Sequence, residues 1–160
     1  MIDAIKNLPD VKIKVVNNDK IIETSSSSLG VGKKIIIFGV PGAFTSTCSL
    51  KHFPDFLESL PDLKKKEIDH IYCMSVNDPF VMKAWQGQYK NGSEIIMIAD
   101  GNADLTKALE IDKDYSSSYM GIRCKRFALM AIDNKIVFLN IEKPGQYDVS
   151  SPSFILSQLK

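Results

Sequence analysis

The chain has 160 residues, 44% of them hydrophobic and 24% charged, with a formal net charge of +1. That length and balance suit one folded domain over residues 1–160 with a core of its own, and the near-neutral charge offers no broad field for nucleic acid or an anionic membrane. Three cysteines (Cys48, Cys73, Cys124) with no Cys-x-x-Cys spacing argue against a disulfide framework and a structural zinc site, and suit a reducing compartment.

No stretch approaches the length of a bilayer span, and the first 25 residues hold no continuous apolar region of the secretory kind. The expected setting is therefore a soluble, reducing one: cytoplasm, or plastid or mitochondrion after removal of a transit peptide. Lys64-Lys65-Lys66 reads as a solvated helix end rather than a phosphate site.

Taken in order, Val11-Lys-Ile-Lys-Val15 alternates apolar and charged residues, and Asn17-Asn18-Asp19 turns it back into Ile21-Ile22, a short hairpin. Thr24 to Gly32 is a serine- and glycine-bearing loop. Lys33 to Phe38 is the first core strand. A helix is expected from about Ser46 to Leu60, kinked by the internal Pro54. Glu67 to Val76 holds the next strand, and Asp78-Pro79 has the form of a helix start, a capping side chain followed by proline.

Glu94 to Ile98 is another strand of buried type, followed by a turn and a short helix over Ala103 to Leu109. Asp112 to Gly121 has no period and reads as loop. Arg126 to Ile132 and Lys135 to Ile141 form an antiparallel hairpin about Asp133-Asn134. Ser151-Pro152 starts a last helix, with Ile155, Leu156 and Leu159 on one face. The order hairpin, β-α-β-α-β-α, hairpin, helix predicts an α/β fold: a mixed central sheet with helices on both faces.

The stretch Gly39-Val-Pro-Gly-Ala-Phe-Thr-Ser-Thr-Cys48 carries the chemistry. A run of β-formers stops at Gly39, and helical apolar spacing begins at Leu50, so Cys48 falls in the first turn of the helix. Unpaired N–H groups and the positive end of the helix dipole favour an anion there, and the thiolate is the reactive form of a thiol. Lysine outnumbers arginine 18 to 2, so Arg123 and Arg126 mark places where a rigid, always-charged fork is wanted. Arg123 reads as a surface or interface residue. His52, four residues after Cys48, could share its face of the helix, but one Cys/His pair lacks the ligands of a zinc site, and no third group orienting the imidazole is evident.

Pro41-x-x-x-Thr45-x-x-Cys48 resembles the reactive motif of the peroxiredoxins. Together with His52, Ser75-Val-Asn-Asp78-Pro-Phe, Ala99-Asp-Gly-Asn102 and Lys125-Arg126-Phe, it resembles their type II subfamily over nearly the whole chain. The resemblance implies a thioredoxin fold with an N-terminal hairpin and insertions. It implies a thiol peroxidase for hydrogen peroxide and small alkyl hydroperoxides, needing neither metal nor organic cofactor. Cys48 would be the nucleophile and Arg126 its fixed cation. Thr45 would offer a hydroxyl to sulfur or peroxide, and Pro41 would shape the turn and keep water from the sulfur. Phe44 would line the way in, Thr47 and Cys48 N–H groups would hold developing oxyanion charge, and His52 would support the loop.

Attack leaves Cys48 as a sulfenic acid that has to be reduced. Some type II members carry a resolving cysteine near the C-terminus, but Tyr147 to Pro152 has serines there. Cys73 reads as a small buried hydrophobe; Cys124, two residues before Arg126, could lie nearer the site and stays open as a partner for Cys48, without matching the usual resolver. The resemblance then implies a one-cysteine cycle served by glutathione with glutaredoxin, or by thioredoxin. It further implies a homodimer through the loops at Phe44, Pro79-Phe80 and Tyr119-Met120. Two rivals are a thioredoxin-like thiol–disulfide oxidoreductase, which wants cysteine where Lys51 stands, and a non-catalytic redox-signalling or holdase protein.

Overall fold

A computed structural model of the chain describes residues 6–159; residues 1–5 and Lys160, the ends of the expected 1–160 span, lie outside the described residues. The strands are β1 (Lys12–Asn17), β2 (Lys20–Ser25), β3 (Lys34–Gly39), β4 (His70–Ser75), β5 (Ile96–Ala99), β6 (Asp112–Asp114), β7 (Ile122–Cys124), β8 (Phe127–Ile132) and β9 (Lys135–Ile141). The helices are α1 (Phe53–Lys65), α2 (Pro79–Gln86), α3 (Asp104–Ala108) and α4 (Pro152–Gln158).

Seven strands make one mixed sheet in the order β2-β1-β5-β4-β3-β8-β9. β3, β4 and β5 are parallel, as helical crossovers require, and the hairpins join them antiparallel on either side. Both hairpin turns use left-handed residues, Asn18 and Asp19 in one, Asp133 and Asn134 in the other. That geometry matches the twist of the paired strands.

Alternation along the central strand divides the core. Ile36 and Phe38 face a cluster built from α1, α2 and α4, including Phe53, Phe56, Met82, Trp85 and Ile155. Ile35 and Ile37 face the opposite cluster, with Leu105, Leu109 and Phe127. Helices therefore cover both faces, as the element order predicts.

Local capping follows the side chains. Asp78 accepts from Val81 N at 2.9 Å and Ser151 from Phe154 N at 3.2 Å, each with proline at the helix start. Asp100 caps α3 from outside the helix, its carboxylate accepting from Leu105 N, Thr106 N and the Thr106 hydroxyl.

Two expectations need correction. Asp112 to Gly121 is not all loop: β6 pairs with β7 in a separate two-stranded ribbon, and the three charged residues of β6 leave no apolar alternation to read there. The first core helix also differs. It begins at Ser46, widens into a π turn over Cys48–His52, and continues as α1 to Lys65. Pro54 lies at the start of α1, directly after the π turn, and a further proline, Pro61, lies inside α1.

The π turn has a local cause. Phe53 N–H bonds Cys48 O, five residues back, and the next donor in that register would be residue 54, which has no N–H. The freed carbonyl, Ser49 O, takes the Tyr89 hydroxyl at 2.8 Å, and the Ser49 hydroxyl takes Trp85 Nε1 at 2.9 Å.

Candidate active site

The last residue of β3, Gly39, sits where nothing larger fits. A Cβ there would lie 2.0 Å from the Phe127 ring across the β3–β8 pair. Val40 extends the parallel ladder through its bond to Met74 O at 2.9 Å, and the chain then turns away from the sheet. Ala43 N donates to Asn77 Oδ1 at 3.1 Å, and Asn77 is itself fixed by the Ser75 hydroxyl at 2.6 Å. Thr45 N–H and its hydroxyl both return to Gly42 O, the hydroxyl at 2.7 Å. Phe44 between them is left-handed at φ +64°, a conformation that costs an L side chain energy and is kept where surrounding bonds enforce it.

This loop delivers Cys48 to the first helical turn. The residue keeps only 1% exposure and lies in the core cluster beneath α1. Arg126, just before β8, reaches its sulfur: Nη2 donates to Cys48 Sγ at 3.1 Å and Nη1 to His52 Nδ1 at 2.9 Å. The guanidinium cannot lose its proton, so it offers the sulfur a permanent positive donor.

His52 is wholly buried. Since Nδ1 accepts from Arg126, its proton sits on Nε2, which donates to Ser150 O at 3.0 Å. Burial, then the Arg126 charge, push its pKa down to about 3, so the ring is neutral and can serve as an acceptor. The imidazole packs against Phe38 at 4.8 Å and Tyr147 at 4.9 Å between ring centres.

An outer ring of bonds fixes Ser150. The Glu142 carboxylate, buried after β9, accepts from Ser150 N at 2.9 Å and the Ser150 hydroxyl at 2.7 Å. Tyr147 donates to Asp55 Oδ2 at 2.6 Å, tying the same segment to α1. One chain of contacts thus runs Glu142, Ser150, His52, Arg126, Cys48.

The structure brings Cys48, His52 and Arg126 into direct contact and sets Pro41 and Thr47 with Arg126 on one cavity wall, whereas Thr45 is tied to Gly42 in the loop before them. Pro41, Thr47 and Arg126 border a cavity of about 470 Å³ that continues between Tyr115 and the 141–146 segment. Phe44 departs from expectation: it is 52% exposed and does not line this cavity, because its left-handed backbone turns the side chain outward. The Thr45 hydroxyl is spent on Gly42 O as a donor, which leaves its oxygen free only to accept.

Three contributors escape the sequence reading. Arg123 is no bystander: Nε donates to Met120 O at 2.8 Å and Nη1 to Pro41 O at 3.3 Å, clasping the 115–121 loop to the turn before Cys48. The scarcity of arginine is the signal for it. Asn77 lies inside a recognised block without a role there, and Glu142 carries no local signal. The group orienting His52, not evident in the sequence, is a backbone carbonyl.

Cys73 and Cys124 are free and fully buried. Burial pushes both thiols well up, and Cys124 donates its S–H to Val40 O at 3.1 Å. Cys124 belongs to the core cluster on the opposite face of the sheet from Cys48.

The Redoxin family pattern matches residues 4–152. Peroxiredoxin-2B of Arabidopsis thaliana is 45% identical over 153 residues, covering 95% of this chain and 94% of its own. The chain is a type II peroxiredoxin. Among solved structures, that of reduced Prx3 in complex with H2O2 from Vibrio vulnificus superposes with a TM-score of 0.90 at 38% identity, covering 97% of each chain. The Plasmodium falciparum antioxidant protein, a 1-Cys peroxiredoxin, superposes with a TM-score of 0.89 at 31% identity over 96% of this chain and 95% of that one. The mixed sheet with its flanking helices is thus the thioredoxin fold of the peroxiredoxins. As a peroxiredoxin the chain is a thiol-dependent peroxidase: peroxide is its oxidising substrate, and a thiol restores it. No helix among the described residues is long and apolar enough to cross a membrane.

Proposed function

We propose that Cys48 is the nucleophile of this peroxiredoxin, acting with Arg126, Thr45, Pro41 and Thr47. The observation that carries the assignment is the 3.1 Å bond from Arg126 Nη2 to Cys48 Sγ in the first turn of a helix. The sulfur, as thiolate, attacks one peroxide oxygen in line with the O–O bond. That bond breaks, the sulfur becomes a sulfenic acid, and the departing oxygen takes a proton to leave as water or an alcohol.

Arg126 stabilises negative charge as it passes from sulfur to oxygen, and the first-turn N–H groups of Thr47 and Cys48 add donors. Thr45, its own proton given to Gly42 O, accepts the proton of the peroxide and so orients the attacked oxygen. Pro41 borders the approach. His52 touches no reacting atom and is a positioning residue for Arg126.

Hydrogen peroxide and small alkyl hydroperoxides are the proposed oxidants. The buried sulfur supports a small substrate, and so does the complex that reduced Vibrio vulnificus Prx3 forms with H2O2. The proposed reductant is external, glutathione with glutaredoxin or thioredoxin. Support comes from Cys73 and Cys124, both sealed in the core with thiols pushed toward the unreactive form. A thiol–disulfide oxidoreductase is disfavoured by Lys51 at the place of its second cysteine. The proposed homodimer would use the exposed Phe44, Phe80 and Tyr119 loops.

Peroxide consumption by the Cys48→Ser variant is the test. Turnover should vanish together with the peroxide-dependent loss of one thiol per chain; retained turnover would refute the assignment.

A further inference from the structure

The cavity beside Cys48 is far larger than its oxidant. It measures about 470 Å³, whereas a molecule of water, similar in scale to hydrogen peroxide, takes about 30 Å³ of liquid. Its size is that of a site for a small organic ligand of about 300 to 1,000 Å³.

Its charge is equally distinctive. Lys113, Lys125, Arg126 and Lys143 line it, in a chain whose net charge is only +1. The single acid in the wall, Glu142, is turned to other use, its carboxylate accepting from Ser150 N and the Ser150 hydroxyl. Among the described residues none of the three lysines forms an ion pair; those present join Lys64 to Glu94 and Lys83 to Asp19. Lys113 instead lies 5.0 Å over the Tyr115 ring, held at the wall with its charge uncompensated. A wall of unpaired cations with an aromatic floor suits a flexible ligand carrying carboxylates.

We propose that this cavity binds the carboxylates of a small anionic thiol and presents its sulfur to oxidised Cys48. The inference rests on the assignment of Cys48 as nucleophile. Lys113, Lys125 and Lys143 hold the carboxylates, while the thiol passes Arg126, which borders the cavity and bonds the sulfur. The thiol sulfur attacks the sulfenic sulfur; the S–O bond breaks as the S–S bond forms. Hydroxide leaves and combines with the thiol proton as water, giving a mixed disulfide that a second thiol reduces. Because burial holds the Cys73 and Cys124 thiols in the unreactive form, and Cys124 is bonded to Val40 O, the step falls to such an outside thiol.

The test isolates this half of the cycle. Protein is oxidised with one equivalent of hydrogen peroxide and mixed with glutathione, with its diester, which lacks both carboxylates, or with 2-mercaptoethanol. Mixed-disulfide formation is followed by quenched-flow mass spectrometry. For the Lys113→Gln/Lys125→Gln double variant, loss of two partly exposed charge contacts should slow glutathione about five- to tenfold. The diester and 2-mercaptoethanol should stay within about twofold of wild type, and added salt should slow only the glutathione reaction of the wild type. The single variants should give intermediate losses, which guards against a folding defect in the double.

An equal loss with all three thiols, or none with glutathione, would overturn the proposal. So would a loss seen only in the oxidation step with a carboxylate-bearing hydroperoxide, which would make the cavity an oxidant site. Oxidation by hydrogen peroxide should be unchanged in the variants. Failure here with that step intact leaves the role of Cys48 standing, whereas peroxide turnover by Cys48→Ser would remove the role itself.

Discussion

His52 holds Arg126 by the one imidazole nitrogen that has no proton. Nδ1 accepts from Nη1 at 2.9 Å, and the other arm of the same fork reaches Cys48 Sγ at 3.1 Å. A neutral, buried ring is therefore the support of the cation that bonds the sulfur, and the support works only because burial keeps that ring from charging.

Arg126→Lys should expose the value of the fork. A lysine keeps the charge but reaches one partner with a single nitrogen, so sulfur and imidazole cannot both be served. Oxidation of Cys48 by hydrogen peroxide should slow about 10- to 100-fold, read by quenched-flow trapping of the sulfenic acid. A lysine variant as fast as wild type would show that charge alone suffices.

Acid should weaken the fold through His52. Its folded pKa, about 3, lies below the ordinary histidine value of 6.5, so below about pH 6.5 the unfolded chain takes up the proton that the folded one refuses. Stability then falls as pH drops from about 6.5 toward 3, by roughly 2 kcal/mol over the part of that window above about pH 5. His52→Gln should flatten this slope in thermal melts, although its melting point at neutral pH is lower. His70, also held down, is present in both proteins and cancels. An unchanged slope would mean that His52 is not the group responsible.

Arg123→Lys should loosen the turn before Cys48, since a lysine cannot hold Met120 O and Pro41 O together. The expected loss is about three- to tenfold in kcat/KM for peroxide. Gly42→Ala should act alike, because the added Cβ would lie 3.0 Å from Met120 Cε and 3.1 Å from Arg123 Nη1. Steady-state kinetics at wild-type values for both variants would dismiss the clasp.

Cys73→Ala and Cys124→Ala should each sustain turnover with an external thiol within about twofold of wild type. Any penalty should appear as stability, about 1 kcal/mol or more for the emptied core volume. Following NADPH in a glutathione- or thioredoxin-coupled assay decides it; collapse of turnover in either variant would place a second cysteine in the cycle.

Phe80→Arg combined with Tyr119→Arg should convert a dimer to monomers without touching the sulfur, as both side chains are largely exposed, 75% and 98%. Sedimentation mass is the measurement. A wild-type monomer, or a dimer indifferent to both changes, removes these loops as the interface.

Much of the fold is written in local signals. The hairpin turns, the Asp78-Pro79 and Ser151-Pro152 helix starts and the buried strands depend on neighbours in sequence, and each is found where its residues indicate. Cys48 is legible for the same reason, a strand handing over to a helix. What stays hidden depends on distance. Pro54 reads as a kink because its missing donor is visible locally, whereas the Tyr89 hydroxyl that satisfies the freed Ser49 carbonyl is not. The β6–β7 ribbon has too few apolar residues to show a period. The Glu142–Ser150–His52 path passes through a backbone carbonyl, which no side-chain pattern announces. Phe44 defeats the sequence reading because its left-handed backbone is imposed by the Asn77 and Gly42 bonds around it.

Ser49, the residue after Cys48, accepts through its hydroxyl oxygen the indole N–H of Trp85, the only tryptophan in the chain. Unwinding of the turn that carries Cys48 would have to sever that bond and change the polarity around a buried chromophore. Emission from that one ring should therefore report any unwinding of the turn that carries Cys48, with no dye attached.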